Sequence, residues 1–344
     1  MASAILSPSA RERSDDVPGW WADGNRPRTL TTTVPREYVH RAAVSEVFLT
    51  NWRQDGPGGW LVTAQWPRAH SFYGSAGGLH DPLLLIETVR QAGILLSHVA
   101  HGVPLDHPII WQKVSYVLRP QALRATHTPA DVALHVTDHD VVRRRKQLAG
   151  VRQEFHIVRD GAELARASLT YTCHSPAVYR RLRGEYGDLL LANARRLPPS
   201  EPVAPPVVGR DRAADVVLSP AGRTGPGARA ESAEPAERWQ LRVDTAHPVL
   251  FDHPVDHVPG MLMVEAARQA ARAVAPHWSL PVALDCSFAR YAELDAPCWV
   301  GARAAGAGAD GRREVAVRVE QHGQPVVDAR VTGLPLAQAL PDPC

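Results

Sequence analysis

Two stretches of this chain place a carboxylate and a guanidinium inside runs of apolar residues, in nearly the same wording. "LLLIETVRQAG" covers residues 83–93 and "MLMVEAARQAA" covers residues 261–271. In each, four consecutive apolar residues precede a Glu-x-x-Arg-Gln-Ala segment. Four in a row occupy every side of a helix, so neither helix has an ordinary wet face. Glu87, Arg90 and Gln91 share one helical face, as do Glu265, Arg268 and Gln269. Ionised groups are rarely buried without partners or purpose. A chain that does this twice is constrained to two copies of one architecture, each a helix enclosed by a sheet.

The flanking residues extend the repeat. His70 and His80 lie ten residues apart, and so do His247 and His257. Asp81-Pro82 supplies an N-cap and a first-turn proline for one helix; Pro259-Gly260 opens the other and Pro276 stops it. After each helix come β-rich segments, and "RDGAE" and "QHGQP" read as matching hairpin turns near the end of each block. A single duplication of this length implies an internal pseudo-dimer rather than a solenoid. The expected division is a flexible arm over 1–33, a first domain over 34–176, a linker over 177–212, proline-rich toward its end, and a second domain over 213–336. A proline-rich loop is expected within the second domain at about 219–237, because eight prolines fall between Pro198 and Pro235.

Composition narrows the function classes. Hydrophobic residues make up 44% and charged residues 22%, the globular range. A net charge of +2 gives no case for a nucleic-acid partner. No apolar run approaches a membrane span, and "MASAILSPSARERSDD" lacks the features of a signal peptide, so a cytoplasmic location is expected. The four cysteines have no CxxC spacing, GxSxG is absent, and a covalent acyl-enzyme has no support.

The "HPVDHVPGMLMVEAARQAA" segment (253–271) resembles the His-loop and Glu-helix pattern of hot-dog-fold dehydratases. "EYVHRAAVSEVFLTNW", "AQWPRAHSFY", "HDPLLLIETVRQAGILLSH" and "HPVLFDHPVDHVPGMLMVEAARQAA" together resemble the A-factor biosynthesis (AfsA) family, over most of residues 34–334. The resemblance implies an α+β tandem (double) hot-dog fold, each half a long helix wrapped by an antiparallel sheet. It also implies an acyltransferase that moves a β-ketoacyl group from acyl carrier protein to the hydroxyl of dihydroxyacetone phosphate. The product leads to γ-butyrolactone autoregulators of secondary metabolism. The implied partners are the carrier protein and dihydroxyacetone phosphate, with no cofactor; homo-oligomerisation stays open. Arg268 departs from the dehydratase pattern, which has a small or apolar residue there and so argues against simple dehydration.

Within this frame the expected catalytic residues are Glu265, Arg268 and His253. Glu265 is read as a base, alone or through His253, with burial raising its pKa and Arg268 lowering it. Arg268 is read as a bidentate anchor for phosphate or thioester oxygen. The bland alternative is an i,i+3 ion pair on a solvated helix. On the base reading, Glu265→Gln abolishes transfer and leaves thermal stability near wild type. Gly260, Gln269, His257, Glu87, Arg90 and Gln91 are expected substrate-binding residues, Gly260 through helix N-terminal amides. A metal reading of His253 and His257 fails because Pro254 breaks the helix such a motif needs. His70 and His80 read as loop-packing residues, and "VVRRRKQ" (141–147) as a solvated hairpin end or a surface for an acidic carrier protein. Competing functions are a hot-dog dehydratase or thioesterase, or a non-catalytic small-molecule-binding regulator.

Overall fold

Each long helix is buried because a sheet encloses it. In the computed structural model, which describes residues 32–74, 77–221, 237–275, 280–307 and 311–339, helix α1 (Pro82–Val99) buries every residue from Pro82 to His98 except Arg90. Asp81 caps it, its side chain accepting from the Leu83 amide at 2.9 Å. The expected arm lies almost wholly outside the described residues, as do most of the 219–237 loop and Pro276.

The strands form one antiparallel sheet of two mirrored halves. The first contains β1 (Leu49–Gln54), β2 (Gly59–Trp66), β3 (Ile109–Leu118), β4 (Ala130–Arg144), β5 (Gln147–Arg159) and β6 (Ala162–Cys173). Two short helices, α2 (Pro176–Arg183) and α3 (Leu189–Arg195), lead to the second half. There β7 (Leu218–Pro220) and β8 (Glu237–Leu241) precede helix α4 (Gly260–Val274), followed by β9 (Leu280–Phe288), β10 (Cys298–Ala307), β11 (Arg313–Gln321) and β12 (Gln324–Leu334). The strand order β1-β2-β4-β5-β6-β3-β9-β12-β11-β10-β8-β7 reads alike from either end, so β7 answers β1 and α4 answers α1. The halves meet where β3 pairs with β9, from Lys113 opposite Ser287 to Val117 opposite Ala283. This is the tandem hot-dog architecture.

The expected hairpins are present. Asp160-Gly161 joins β5 to β6 and His322-Gly323 joins β11 to β12, all four residues at positive φ, as two-residue turns of the I′ class require. Arg145-Lys146 forms the same turn between β4 and β5, which places the basic run at an exposed hairpin tip. Among the described residues no helix is long and apolar enough to cross a membrane.

Candidate functional site

The two helix carboxylates are fully buried and each is held by two arginines. On α1, Glu87 accepts from Arg90 at i,i+3 (Nε 2.9 Å, Nη2 2.8 Å) and from the Gln91 amide at 2.6 Å. It also accepts from Arg41, whose Nε lies 3.0 Å and Nη2 2.7 Å from its oxygens. On α4, Glu265 accepts from Arg268 (2.7 Å to each oxygen), Gln269 (2.5 Å) and Arg210 Nε (2.7 Å). Burial pushes both carboxyl pKa values up, but the paired guanidinium groups and their hydrogen bonds more than offset it, leaving each at about 2. The i,i+3 pairs are therefore enclosed ion pairs, not pairs on a solvated helix.

Arg41 and Arg210 were not visible as site residues in the helix motifs, because they lie 46 and 55 residues upstream of their glutamates. The signal that finds them is a second repeat, "VHRAAVSEVFL" (39–49) against "VGRDRAADVVL" (208–218). It lies partly inside the stretch expected to be linker. Both copies begin with a single 3-10 turn, Arg36–Val39 and Pro205–Val208. In both, the motif glutamine joins this segment to the helix. Gln91 accepts from the Phe48 amide and donates to Glu46 O; Gln269 accepts from the Val217 amide and donates to Asp215 O.

Each arginine also crosses to the other half. Arg41 Nη1 donates to Val249 O at 3.0 Å, and Arg210 Nη1 donates to Phe72 O at 2.8 Å. Both carbonyls belong to loops organised by a histidine. His70 Nδ1 accepts from the Phe72 and Tyr73 amides, and His247 Nδ1 accepts from those of Val249 and Leu250. Their Nε2 atoms face Glu46 (3.3 Å) and Asp215 (3.4 Å). His80 is buried edge-on against Trp66, its pKa lowered by burial and then by Arg159 to about 4.

This crossing divides the expected catalytic trio. Asp252 of the second half accepts from the backbone amides of Ala42 and Ala43, which seats the His253 loop beside Arg41 and Arg90 of the first half. His253 thus joins the Glu87 cluster, while Arg268 stays with Glu265. The cause is the pseudo-dyad: a loop preceding one helix closes over the other. His257 lies in the same cavity, with Nδ1 2.6 Å from Asp256, and Asp256 also accepts from Tyr179 OH (2.7 Å). Arg183 of α2 donates to Asp256 O and pairs with Glu293, so α2 is built into the wall.

The two clusters differ in access. A cavity of about 730 Å³ opens at the first, lined by His40, Arg41, Arg90, His253 and His257, with Ile94, Met263 and Val327 among its apolar walls. Gly260 and Met261 bring the start of α4 into it, and a Cβ at Gly260 would come within 3.3 Å of the Trp111 ring. Among the described residues, the space beside Arg268 of the second cluster, between Tyr116, Leu284 and Pro82, is about 10 Å³. A larger trough of about 1630 Å³ crosses the outer face of the sheet, reaching neither glutamate. It is lined by exposed pairs such as Lys113–Asp285 (2.8 Å) and Arg318–Asp328 (2.7 Å) and is a solvated surface.

The family model of the A-factor biosynthesis hotdog domain matches twice, over residues 22–175 and 191–337. A 2-oxo-3-(phosphooxy)propyl 3-oxoalkanoate synthase of Streptomyces virginiae is 46% identical over 85% of this chain and 94% of its own length. A protein of the same description from Streptomyces coelicolor is 34% identical over 91% of this chain and 95% of its own. A solved structure described as an oleoyl thioesterase of Lactobacillus plantarum matches with a TM-score of 0.51 at 12% identity, over 82% of this chain and 96% of that one. At that identity the likeness concerns the fold alone.

Proposed function

We propose, for a chain that belongs to the A-factor biosynthesis hotdog family, that it makes 2-oxo-3-(phosphooxy)propyl 3-oxoalkanoates in the cavity beside Glu87. A β-ketoacyl group moves from the thiol of acyl carrier protein to the free hydroxyl of dihydroxyacetone phosphate. The ester C–O bond forms, the thioester C–S bond breaks, and the hydroxyl proton ends on the released thiol. The product is an early intermediate on the way to γ-butyrolactone autoregulators, and substrates of this kind fit a cytoplasmic location.

The observation that carries this reading is the make-up of the open cavity: guanidinium groups at one side, apolar walls at the other. Two guanidinium groups around one carboxylate leave net positive charge on this side of the cavity, which suits a phosphate dianion; Arg90 would meet it on the edge that Glu87 does not occupy. Ile94, Met263 and Val327 suit an acyl chain. Glu87, ionised and already accepting from three side chains, acts here as the anchor that aims both arginines; Glu265 has the same office in the second half. The first-turn amides at Gly260 and Met261 are suited to the oxyanion that develops on the thioester carbonyl, a donor worth about 10²–10³ in rate. Direct transfer of this type rests on positioning and oxyanion stabilisation.

The test is incubation with a 3-oxoacyl carrier protein and dihydroxyacetone phosphate, with products identified by mass. The reading requires the phosphorylated ester, formed only when both are present. Thioester consumption at an equal rate without dihydroxyacetone phosphate would make the protein a thioesterase instead.

A further inference from the structure

We infer that His40 is the general base of the transfer, its Nδ1 kept as a lone pair by a hydrogen-bonded chain running through His98 to the carbonyl of Val103. The inference rests on the reading that acyl transfer takes place in the Glu87 cavity. It begins with a hydrogen-bond assignment. His98 Nδ1 lies 2.7 Å from Val103 O, and a carbonyl can only accept, so that nitrogen carries the proton. Burial lowers the pKa of His98, which keeps the ring neutral and makes its Nε2 an acceptor. His40 Nε2 lies 3.0 Å from His98 Nε2 and must therefore be the donor. A neutral His40 then has Nδ1 as its unprotonated nitrogen, on a ring that lines the cavity beside Arg90 and His253.

The backbone gives a second, independent reason. His40 sits at φ +50°, in the left-handed region that a residue with a Cβ seldom occupies. Its counterpart across the pseudo-dyad is Gly209, at φ +68° and without that cost. The segment therefore works with glycine, and the second half has one. The half with the cavity of about 730 Å³ carries an imidazole at this strained position, which is where a functional side chain is expected.

The charged and titratable groups facing His40 are His98 and Arg90 of α1 and His253 of the loop before α4. Burial first and these neighbours second depress its pKa to about 3, so it stands deprotonated at neutral pH. A phosphate dianion on Arg90 would cancel part of that repulsion and strengthen the base only when acceptor is bound. The base then takes the hydroxyl proton as oxygen attacks the thioester carbon, and returns it to the departing sulfur.

The experiment measures steady-state transfer from a 3-oxoacyl N-acetylcysteamine thioester to dihydroxyacetone phosphate between pH 5 and pH 9, for wild type, His40→Gly and His40→Asn. Glycine is the residue of the twin segment, and asparagine tolerates positive φ, so both backbones are accommodated. The expected result is a loss of about 10²-fold or more in both variants across this range and partial recovery of His40→Gly with added imidazole. A folded variant within about threefold of wild type would overturn the assignment, as would failure of imidazole to restore any rate to His40→Gly. Absence of ester with the wild-type protein would instead overturn the transfer reading itself.

Discussion

Arg41 donates through Nη1 to the carbonyl oxygen of Val249, 208 residues along the chain, while its other two nitrogens hold Glu87. One side chain therefore fixes both the buried carboxylate of the first half and the loop that the second half lays over it. Arg210 and Phe72 repeat the relationship in reverse. The cavity thus belongs to neither half alone, and its chemistry is expected to fail when either partner of this contact is lost.

Replacing either helix glutamate should destabilise the fold, contrary to the expectation drawn from the sequence for Glu265→Gln. Loss of the carboxylate leaves Arg210 and Arg268, or Arg41 and Arg90, without their counter-charge. Breaking a buried pair from one side costs about 3–5 kcal/mol. Urea unfolding of Glu265→Gln and Glu87→Gln should show both well below wild type. A Glu265→Gln midpoint equal to wild type would mean that the carboxylate is not a structural anion.

Stability should fall steadily on acidification. Glu87 and Glu265 have depressed folded-state pKa values, so their contribution is full above the ordinary carboxylate range and is lost as pH drops toward about 2. His40 and His80 are held neutral, with values lowered to about 3 and about 4. The unfolded chain protonates them from about pH 6.5 downward, which also favours unfolding. Both effects have the same sign. Urea midpoints between pH 7 and pH 3 should decline without a plateau, and His40→Asn should flatten the upper part of that decline.

The acyl wall gives a specificity prediction. Ile94 and Met263 line the cavity from opposite helices, α1 and α4. Enlarging either to Phe should lower kcat/KM for long 3-oxoacyl chains by about tenfold while leaving short ones within about twofold, since hydrophobic pockets discriminate by about 1–3 kcal/mol per group. Competition between two chain lengths in one reaction would measure the ratio. An unchanged ratio would move the acyl chain elsewhere.

Much of this molecule was legible in its sequence because the signals were local. Four apolar residues before each Glu-x-x-Arg-Gln gave the enclosed helices, and Asp160-Gly161 and His322-Gly323 gave the turns. Spacing on a helix put Glu87, Arg90 and Gln91 on one face without any knowledge of the sheet. What was hidden was set by tertiary crossing. Arg41 and Arg210 reach their glutamates from segments far upstream, and a 55-residue separation has no periodicity to betray it. Grouping His253 with Glu265 followed the order of the chain; the pseudo-dyad sends that loop to Glu87 instead. Nor does the sequence disclose which cavity is open. Among the described residues that depends on how Tyr116, Leu284 and Pro82 pack around Arg268 and on the close approach of Gly260 to Trp111.

The central claim is that transfer takes place at the first cluster and not at its twin. Arg90 and Arg268 have the same contacts to a helix glutamate, so their alanine variants form a matched pair with similar structural cost. The decisive measurement is kcat/KM for dihydroxyacetone phosphate in Arg90→Ala and Arg268→Ala, each normalised to folded protein. The account predicts a loss of about 10²-fold for Arg90→Ala, as expected when a charged hydrogen-bonding group is removed from phosphate, and a change within about threefold for Arg268→Ala. The reverse order would place the chemistry at Glu265 and contradict it.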